Sequence, residues 1–337
     1  MNIRKIGEEV ADTLVKEMQE TGKLSPVKFE DNVTIKEMIG TDDGAREFIE
    51  KVTYDAFSGR ENVPLLYKDI YSTLTDANFP KTMTVKEFGP VQTVFLEKLE
   101  GGEVKFGSLG SGPEKTVSFK TWAAGIEYDE DIVEWNQTWR VSDIGVSFGE
   151  SYNKLLNHLH LNPIISGSYV TTGGGLAAQK AKQESTTNGA AQLIAYDTSI
   201  AKTLTNALQV LPRGSVVLHN SFDAFALQNA IAGDLMPDLT AGPVKKSLSN
   251  AKFIAYDGET VEVGGKTYSY GGVAQGYIYL LAPKVNFKEY IKHDLRVDSG
   301  DGDLSRLVLT QVVGRARRAQ VAGLSGAYGA IKIDIAS

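Results

Sequence analysis

The spacing of apolar residues predicts helices in the first part of the chain. Residues 3–18 carry an apolar residue every three or four positions, opposite acids and lysines, which predicts an amphipathic helix. Its apolar stripe consists of Ile3, Ile6, Val10, Leu14 and Met18. The polar stretch that follows is typical of an extended arm, and Asp42 and Asp43 then cap a short helix through Val52. Residues 62–80 hold apolar groups between turn formers and predict short helix and loop.

The period changes to two between Thr82 and about Ile132. Apolar and polar residues alternate over 91–95 and again over 116–122, with the glycine-rich segment 101–113 between them. This pattern predicts a long β-hairpin with a glycine-rich tip. Two-stranded hairpins are marginally stable in water, so this one needs a surface to lie on, which another subunit could supply.

Residues 143–161 predict a long helix, which Pro163 ends. Its apolar stripe consists of Ile144, Phe148, Tyr152, Leu155, Leu156 and Leu159. His158 and His160 are two positions apart on this helix and therefore point to different faces, so they cannot form a metal-binding pair. Their predicted place is the polar helix surface or a contact between subunits.

After residue 190, predicted helices and strands alternate. Asp197 and Ser221 each precede an apolar helical stripe and are the predicted caps, with Phe222 and Phe225 on the apolar side of the second helix. The predicted strands are 215–219, 253–256, 259–263, 266–270, 276–282, 304–314 and 329–335. An arginine-rich turn joins the last two. The mixture predicts an α+β fold in one large domain or two closely joined domains.

Composition and charge remove several classes of function. The 337 residues include no cysteine, which excludes disulfides, thiolate metal sites and a thiol nucleophile. The net charge is −7, and the only dense basic group is Arg315, Arg317 and Arg318, which argues against specific nucleic-acid recognition. Early charges argue against a signal peptide, and the sequence has no apolar run of about 18 residues, so we expect a cytoplasmic protein without a membrane span.

A search for catalytic motifs finds one weak candidate. Residues 107–112 are rich in glycine but do not have the spacing of a phosphate-binding loop, and no serine has the surroundings of a hydrolase nucleophile. The acidic cluster is formed by Glu127, Asp129, Glu130, Asp131 and Glu134. Paired carboxylates can serve acid–base or metal chemistry, but such clusters are more often a solvated face. Residues 298–303 lack the calcium-loop spacing and predict a plain turn. The sequence therefore predicts no enzyme, no cofactor and no metal site.

The three arginines allow three interpretations. They form a solvated loop, pair with acids of a neighbouring subunit, or contact DNA, in that order of preference. The candidate residues for contacts between subunits are Arg315, Arg317, Arg318, Glu127, Asp129, Glu130, Asp131, Lys98 and Lys105.

The order of these elements resembles that of the major capsid proteins of tailed phages, whose fold is shared with encapsulin shells. The order is an N-terminal arm, a long glycine-tipped hairpin, a long helix, an α/β region and C-terminal strands with an arginine-rich turn. The residues that carry the resemblance are VPLLY at 63–67, DANFP at 76–80, the hairpin at 82–132, the helix at 143–161, GRARRAQ at 314–320 and YGA at 328–330.

The resemblance implies a division of the chain into the parts of a capsid subunit. In order, these are the N-terminal arm at 1–60, the first part of the peripheral domain at 61–81, the extended loop (E-loop) at 82–132, the peripheral domain with its spine helix at 133–189, the axial domain at 190–300 and the C-terminal peripheral strands at 301–337. Such a subunit assembles as pentamers and hexamers into an icosahedral shell around double-stranded DNA.

The resemblance also implies partners and a location. The expected partners are further copies of the chain, a portal protein, an optional decoration protein, and packaged DNA held by weak non-specific contact, which suits an acidic protein. The arm is short and begins with Met1, so a separate scaffold protein is expected. Assembly is expected in the bacterial host cytoplasm, and the final location is the virion capsid. Some family members join subunits through a Lys–Asn isopeptide bond, but no asparagine follows Asn286, so no such cross-link is expected.

Two alternatives stay open from the sequence. One is an encapsulin nanocompartment shell, and the other is a metal-dependent hydrolase that uses the acids at 127–134. In the capsid interpretation, procapsid maturation needs a hinge, and we expect it at the base of the hairpin near Gly89, Pro90 and Gly125 because glycine and proline mark changes of chain direction.

Overall fold

A computed structural model describes most of the chain from residue 42 onward. The described residues are 34–35, 42–91, 109–169, 179–180, 251–263, 266–301, 308–324 and 329–335, with 200, 203–204, 207, 211 and 214–232 between them. The predicted helix at 3–18, residues 101–108 of the glycine-rich segment and the two lysines Lys98 and Lys105 lie outside the described residues. None of the described helices combines the length and the apolar character needed to cross a membrane.

The first described helix, α1, runs Asp42–Asn62 and is longer than the predicted helix that ended near Val52. Its buried residues Phe48, Val52 and Ala56 follow one another at helical spacing. Burial of this face therefore continues beyond Val52 and stabilises the longer helix. A 3-10 helix, Leu66–Asp69, and a short strand, β1 Ser72–Thr75, follow. The prediction of short helix and loop over 62–80 missed this strand.

The predicted hairpin range contains three strands. β2 (Thr82–Val91) pairs with β3 (Leu109–Ser118) in an antiparallel hairpin, whereas β4 (Lys120–Asp129) leaves it and joins another sheet. The segment predicted as one strand over 116–122 therefore changes partners at Phe119. The Phe119 side chain is buried and its N–H donates to the Lys81 carbonyl at 3.0 Å, which fixes the turn at the base of the hairpin.

Two helices follow β4, the short α2 (Glu130–Glu134) and the long α3 (Thr138–Ile165). The prediction that Pro163 ends the long helix was wrong by one turn. Proline has no N–H to donate to the carbonyl four residues earlier, which is that of Leu159. The Gln320 amide donates to the Leu159 oxygen at 3.2 Å instead, so the helix continues without leaving that carbonyl unpaired.

The backbones of helices α1 and α3 touch where the helices cross, because each helix places a glycine against the backbone of the other. A Cβ atom at Gly59 would lie 2.0 Å from the Val146 carbonyl oxygen, and one at Gly149 would lie 1.8 Å from that of Ala56. No real side chain fits in that space, so only glycine permits this crossing.

The described part of the second half adds strands, a 3-10 helix and one α-helix with defined bounds, and residues 200, 203, 204 and 207 are also helical. In chain order they are β5 Gln179–Lys180, β6 Val216–His219, a 3-10 helix Ser221–Asp223, α4 Ala224–Ala232, β7 Lys252–Ala255, β8 Gly258–Val263, β9 Lys266–Gly271, β10 Tyr277–Leu281, β11 Phe287–Asp301, β12 Val308–Ala322 and β13 Ala330–Asp334. The strands predicted at 215–219, 253–256, 259–263, 266–270, 276–282 and 329–335 are confirmed within a few residues. Helices and strands are mixed, which confirms the α+β class.

Strands β1–β13 form four sheets. The larger two have the orders β1-β11-β12-β4 and β5-β13-β10-β6-β7, and β2-β3 and β8-β9 are two-stranded. β13 therefore belongs to the same sheet as β10, and β11 to the same sheet as β12. The resemblance implied a boundary between the axial and peripheral domains at residues 300 and 301. The sheets change elsewhere, because β11 begins at Phe287 and the chain crosses to the five-stranded sheet again after β12.

Three sequence interpretations are corrected, two of them in β11 and β12 and one at the 3-10 helix Ser221–Asp223. The arginine-rich turn is the middle of β12, a 15-residue strand. The acidic segment expected as a turn from residue 298 is still strand at 298–301, paired with β12. The predicted cap Ser221 is replaced by Asn220, whose side chain accepts from the Phe222 N–H at 2.9 Å.

Candidate functional site

The acidic cluster does not assemble into a catalytic site in the described residues. Glu127 and Asp129 lie on the exposed side of β4, and Asp131 and Glu134 lie on the exposed side of α2. The Glu127 carboxylate accepts from the Gln311 amide at 3.2 Å. Within the described ranges, no group of three or more histidine, cysteine, aspartate or glutamate residues could hold a metal ion.

The three arginines have three different environments along β12. Arg315 pairs with Asp298 across the strands at 2.9 Å, and Arg317 is exposed and donates to the Thr121 hydroxyl at 3.1 Å. Arg318 is only 3% exposed. Successive residues of a strand point to opposite faces, so the side chains of Arg317 and Arg318 do as well. The face that carries Arg318 is the one covered by α3. The interpretation of Arg318 as a solvated or inter-subunit residue is therefore corrected.

Arg318 is the centre of a buried cluster of charges between α3 and the four-stranded sheet. Its guanidinium donates to Glu289 at 2.5 Å, to Asp294, and to the Tyr152 hydroxyl at 2.9 Å. The Tyr152 hydroxyl in turn donates to Asp294 at 3.0 Å. Arg60 of α1 lies 3.6 Å from the second oxygen of Asp294. Two arginines thus face two carboxylates, and the cluster joins α1, α3, β11 and β12.

His160 lies on the other side of Glu289 and is also buried. Its Nε2 atom is 3.1 Å from the Glu289 carboxylate, and its Nδ1 atom is 2.7 Å from the Leu156 carbonyl. The ring stacks on Tyr67 at a centroid distance of 3.6 Å. The prediction of a polar surface position for His160 was wrong, because the helix face that carries it is covered by the sheet. Helical spacing from Tyr152 and Leu156 to His160 was the signal that could have found it.

The charges in this cluster change the pKa of both carboxyls. Burial by itself would raise the pKa of Glu289, but the hydrogen bond and charge of His160 and the charge of Arg318 outweigh it and lower the pKa to about 2. Burial also opposes ionisation of Asp294, and Arg318, Arg60 and the Leu295 N–H hold its pKa below the usual range. Burial would lower the pKa of Arg318, but Asp294, two tyrosines and Glu289 raise it further. The charged groups of the cluster therefore pair with one another, and we assign the cluster a structural role.

The base of the hairpin is held by a small apolar cluster on the same sheet. Val117, Phe119 and Val321 are buried together with Tyr290 and Ala319. Lys115 of β3 donates to the Ala322 carbonyl at 2.8 Å and adds a polar contact to β12. The hairpin is thereby fixed to the body at its base, while β2 and β3 form a two-stranded sheet of their own.

The hinge candidates do not lie at the hairpin base. Gly89 and Pro90 lie inside β2, where the register of the hairpin shifts between Phe88 and Val91. Gly125 lies inside β4, opposite Val313 of β12. The base itself is the Thr82–Ser118 pair. Their role as a hinge stays a prediction, but their placement differs from the one expected.

Several large apolar side chains of the described residues are exposed. Phe222 and Phe225, predicted on a buried face, are 79% and 72% exposed, because Leu227 supplies the core contact of α4 instead. Trp135 and Trp139 are exposed at the corner between α2 and α3. A groove of about 490 Å³ also opens between β4, α3 and the β8–β9 hairpin, with mainly apolar walls. Apolar surfaces of this kind mark contact sites in soluble proteins.

Comparison with known proteins identifies the fold. No known family model matches the sequence, and no curated protein matches it. Among solved structures, a virus-like particle from Pyrococcus furiosus aligns with 86% of this chain and 100% of its own, with a TM-score of 0.51 and 12% identity. The mature capsid of bacteriophage PhiM1 aligns with 80% of this chain and 86% of its own, with a TM-score of 0.50 and 9% identity. The chain therefore has the major capsid fold of tailed phages, as the order of its elements predicted.

Proposed function

We propose that the chain is a structural shell subunit that assembles as pentamers and hexamers into the icosahedral head of a tailed phage, around double-stranded DNA. The observation that carries the proposal is the β2–β3 hairpin, which is anchored at its base and otherwise forms a separate two-stranded sheet. Such a hairpin gains stability when it lies on another surface. In a protein with the capsid fold, the surface that fits best is a neighbouring copy of the chain.

The parts of the subunit follow with revised boundaries. We propose the arm for the residues before α1 only, because α1 packs on α3 of the same chain. The E-loop keeps its proposed role, and α3 is proposed as the spine helix. We assign β1, β4, β11 and β12 to the peripheral domain and β5, β6, β7, β10 and β13 to the axial domain, because each set shares one sheet. The axial domain would then surround the five-fold and six-fold centres.

Charge pairing between subunits is proposed for exposed residues only. Arg317 on β12 and the acids Glu127, Asp129 and Asp131 are exposed on the described surface and can reach other copies. Lys98 and Lys105 of the hairpin keep the same proposed role. Exposed pairs of this kind contribute little stability each but favour one arrangement of partners.

The remaining partners are proposed from the fold. A scaffold protein, a portal protein and an optional decoration protein would act during and after assembly in the host cytoplasm, and the mature location is the virion capsid. The net charge of −7 supports weak and non-specific contact with the packaged DNA. We propose no catalytic role.

The first experiment is electron microscopy with sizing chromatography on the purified chain. We expect shells, tubes or rings of five or six subunits. A monomer that persists at high concentration with scaffold protein added would overturn the proposal.

A matched variant tests the hairpin. Replacing residues 92–108 by a two-residue Asn-Gly turn should leave the circular dichroism spectrum and the thermal midpoint unchanged but abolish shells, because the distal hairpin contacts another subunit. Shells of normal size from this variant would exclude the hairpin as the assembling element.

The likeness to the virus-like particle keeps an encapsulin-type nanocompartment as the second candidate. The contents of particles produced together with the phage's other head proteins distinguish a phage head from a nanocompartment. A head protects genome-length DNA from nuclease, whereas a nanocompartment encloses protein cargo.

A further inference from the structure

The four-stranded sheet has a small cleft on the face opposite α3, lined mainly by cationic side chains. Its volume is about 170 Å³, and its lining residues are Thr121, His293, Arg296, Arg315, Ala316 and Arg317. We call it the arginine cleft. None of these six residues is acidic, and side chains of one sign around a concave surface attract ions of the opposite sign. The lining therefore favours an anion.

The two arginines of β12 reach the cleft because strand residues alternate between faces. Arg315 and Arg317 are two positions apart and lie on the same face. Their neighbours face α3, since Arg318 is buried there and a Cβ atom at Gly314 would lie 2.2 Å from the Phe148 ring of α3. The arginine cleft is therefore separate from the buried charge cluster on the other face of the sheet.

A β-bulge in β11 brings a third arginine to the cleft. His293 is the register partner of Arg317, and Arg296 is that of Arg315. Two residues of β11, 294–295, lie between these pairs, whereas β12 has only one residue there. In a regular strand, residues three positions apart face opposite sides, and the extra residue returns Arg296 to the side of His293. Bulges that re-aim a side chain in this way are common next to functional sites.

The bulge places like charges directly opposite each other. Arg296 and Arg315 are both cationic, and His293, which becomes cationic when protonated, lies opposite Arg317. Like charges directly opposite each other on neighbouring strands destabilise a sheet. An anion between the two strands would remove this repulsion, so the arrangement is most stable with an anion bound.

Two of the arginines are positioned by contacts of their own. The Arg315 Nε atom lies 2.9 Å from the Asp298 carboxylate, which compensates part of the positive charge, and the Arg317 Nε atom donates to the Thr121 hydroxyl at 3.1 Å. A guanidinium has five N–H donors, and a contact through Nε uses one of them. Side chains held in this way need less ordering when a ligand binds, which lowers the entropic cost.

We propose that the arginine cleft binds a phosphate dianion, either free phosphate or the phosphate of a monoester. Such a group carries up to about two negative charges and at least three acceptor oxygens, so it can bridge several guanidinium groups, whereas a carboxylate has one charge and two oxygens. A water molecule occupies about 30 Å³ of liquid, so the cleft has room for this group and part of its hydration shell. The inference goes beyond the proposed function and does not depend on it.

Isothermal titration calorimetry with inorganic phosphate tests the proposal. At neutral pH and constant ionic strength, we expect saturable binding of one phosphate per chain. Arg296→Gln and Arg317→Gln should each weaken binding about tenfold or more, because each removes a charged donor. Arg140→Gln, which removes the same charge from an exposed position on α3, is the matched control and should bind like the parent. Absence of saturable binding, or equal affinity in parent and cleft variants, would overturn the proposal.

Competing ligands identify the anion. A nucleoside monophosphate that displaces phosphate from the parent assigns the cleft to phosphomonoesters, and failure to displace it assigns the cleft to free phosphate. Acetate should bind about tenfold more weakly or less. If acetate, or a DNA duplex without terminal phosphates, competes as well as phosphate does, the cleft takes protein carboxylates or phosphodiesters and the proposal is wrong. Circular dichroism and the urea midpoint show that each variant is folded, and the exposed Arg317 is the position at which substitution should be tolerated best.

Discussion

The two larger sheets of the molecule are stabilised in different ways. The sheet β1-β11-β12-β4 buries charged side chains against α3, with Glu289 and Arg318 almost completely enclosed. The sheet β5-β13-β10-β6-β7 buries aliphatic side chains such as Val217, Leu280 and Ile331. The first arrangement depends on geometry and protonation, whereas the second depends mainly on the apolar area removed from water.

This difference affects how strictly each sheet fixes its own register. Arg318 lies opposite Ile291, two positions from Glu289 on the same face of β11. A slip of one residue would turn the guanidinium to the opposite face and remove it from the buried Glu289 and from Asp294. Aliphatic faces tolerate exchange of one residue for another of similar volume, so the five-stranded sheet specifies its register less sharply.

The largest effect is expected when the buried charge pair is broken. Arg318→Met should lower the free energy of unfolding by about 3–5 kcal/mol, because Glu289 and Asp294 lose their main counter-charge inside the protein. Urea unfolding of the unassembled chain measures this. Arg317→Met, one position away on the exposed face, is the control and should cost less than about 1 kcal/mol. Equal losses in the two variants would mean that the cluster does not stabilise the sheet.

The aliphatic sheet should lose stability through a cavity. Leu280→Ala should cost about 2–5 kcal/mol, while the milder Ile331→Val should cost about 0.5–1.5 kcal/mol, since both side chains are fully buried. The losses should be the same at pH 7 and at pH 4. If the loss in Leu280→Ala changes between the two pH values, the contrast between the sheets is wrong.

Acid should weaken the charged sheet selectively. The pKa of Glu289 is about 2 in the folded chain, below its unfolded value, so its contribution is present above about pH 4.5 and is lost as the pH falls toward 2. That contribution is on the order of 2–3 kcal/mol. Urea midpoints of the parent and of Glu289→Gln between pH 7 and pH 3 measure it. The parent should fall more steeply, and parallel curves would contradict the charged state of Glu289.

A matched pair of tyrosines gives the smallest contrast. Tyr152→Phe removes a hydroxyl that bonds Arg318 and Asp294, and we expect a loss of about 1.5–2 kcal/mol because both partners are charged. Tyr279→Phe removes a hydroxyl that donates to the Ile165 carbonyl at 3.1 Å, and the expected loss is about 0.5–1 kcal/mol. Thermal unfolding of both variants orders the two losses, and the reverse order would count against the comparison.

The same contrast explains which strands could be predicted from the sequence. β6, β10 and β13 are continuous apolar runs bounded by turn residues, and they were predicted within a few positions. β11 is absent from the strands predicted above, because Lys292, His293 and Asp294 interrupt its apolar pattern. Two register irregularities between Ile291 and Arg296 also shift the alternation, so a period of two cannot be recognised.

The residues of the candidate site were also predictable only in part. The acids and arginines were recognised as notable, but which of them face inward depends on pairing with strands nearly 30 residues away or more. The exposure of Phe222 could not be predicted either, because an apolar residue after a cap is normally buried. Only the tertiary contact of Leu227 shows which side of α4 faces the core.

The pairing of β1 with β11 and of β4 with β12 also has a consequence for biosynthesis. Ser72 meets Lys288 and Thr121 meets Arg317, so both edge strands wait for partners made near the end of translation. β13, the last strand, likewise completes the other large sheet. Sheets built from contacts so distant in sequence close slowly. The nascent chain therefore leaves the ribosome with much of its apolar surface uncovered, and chaperones would meet it before any other copy does.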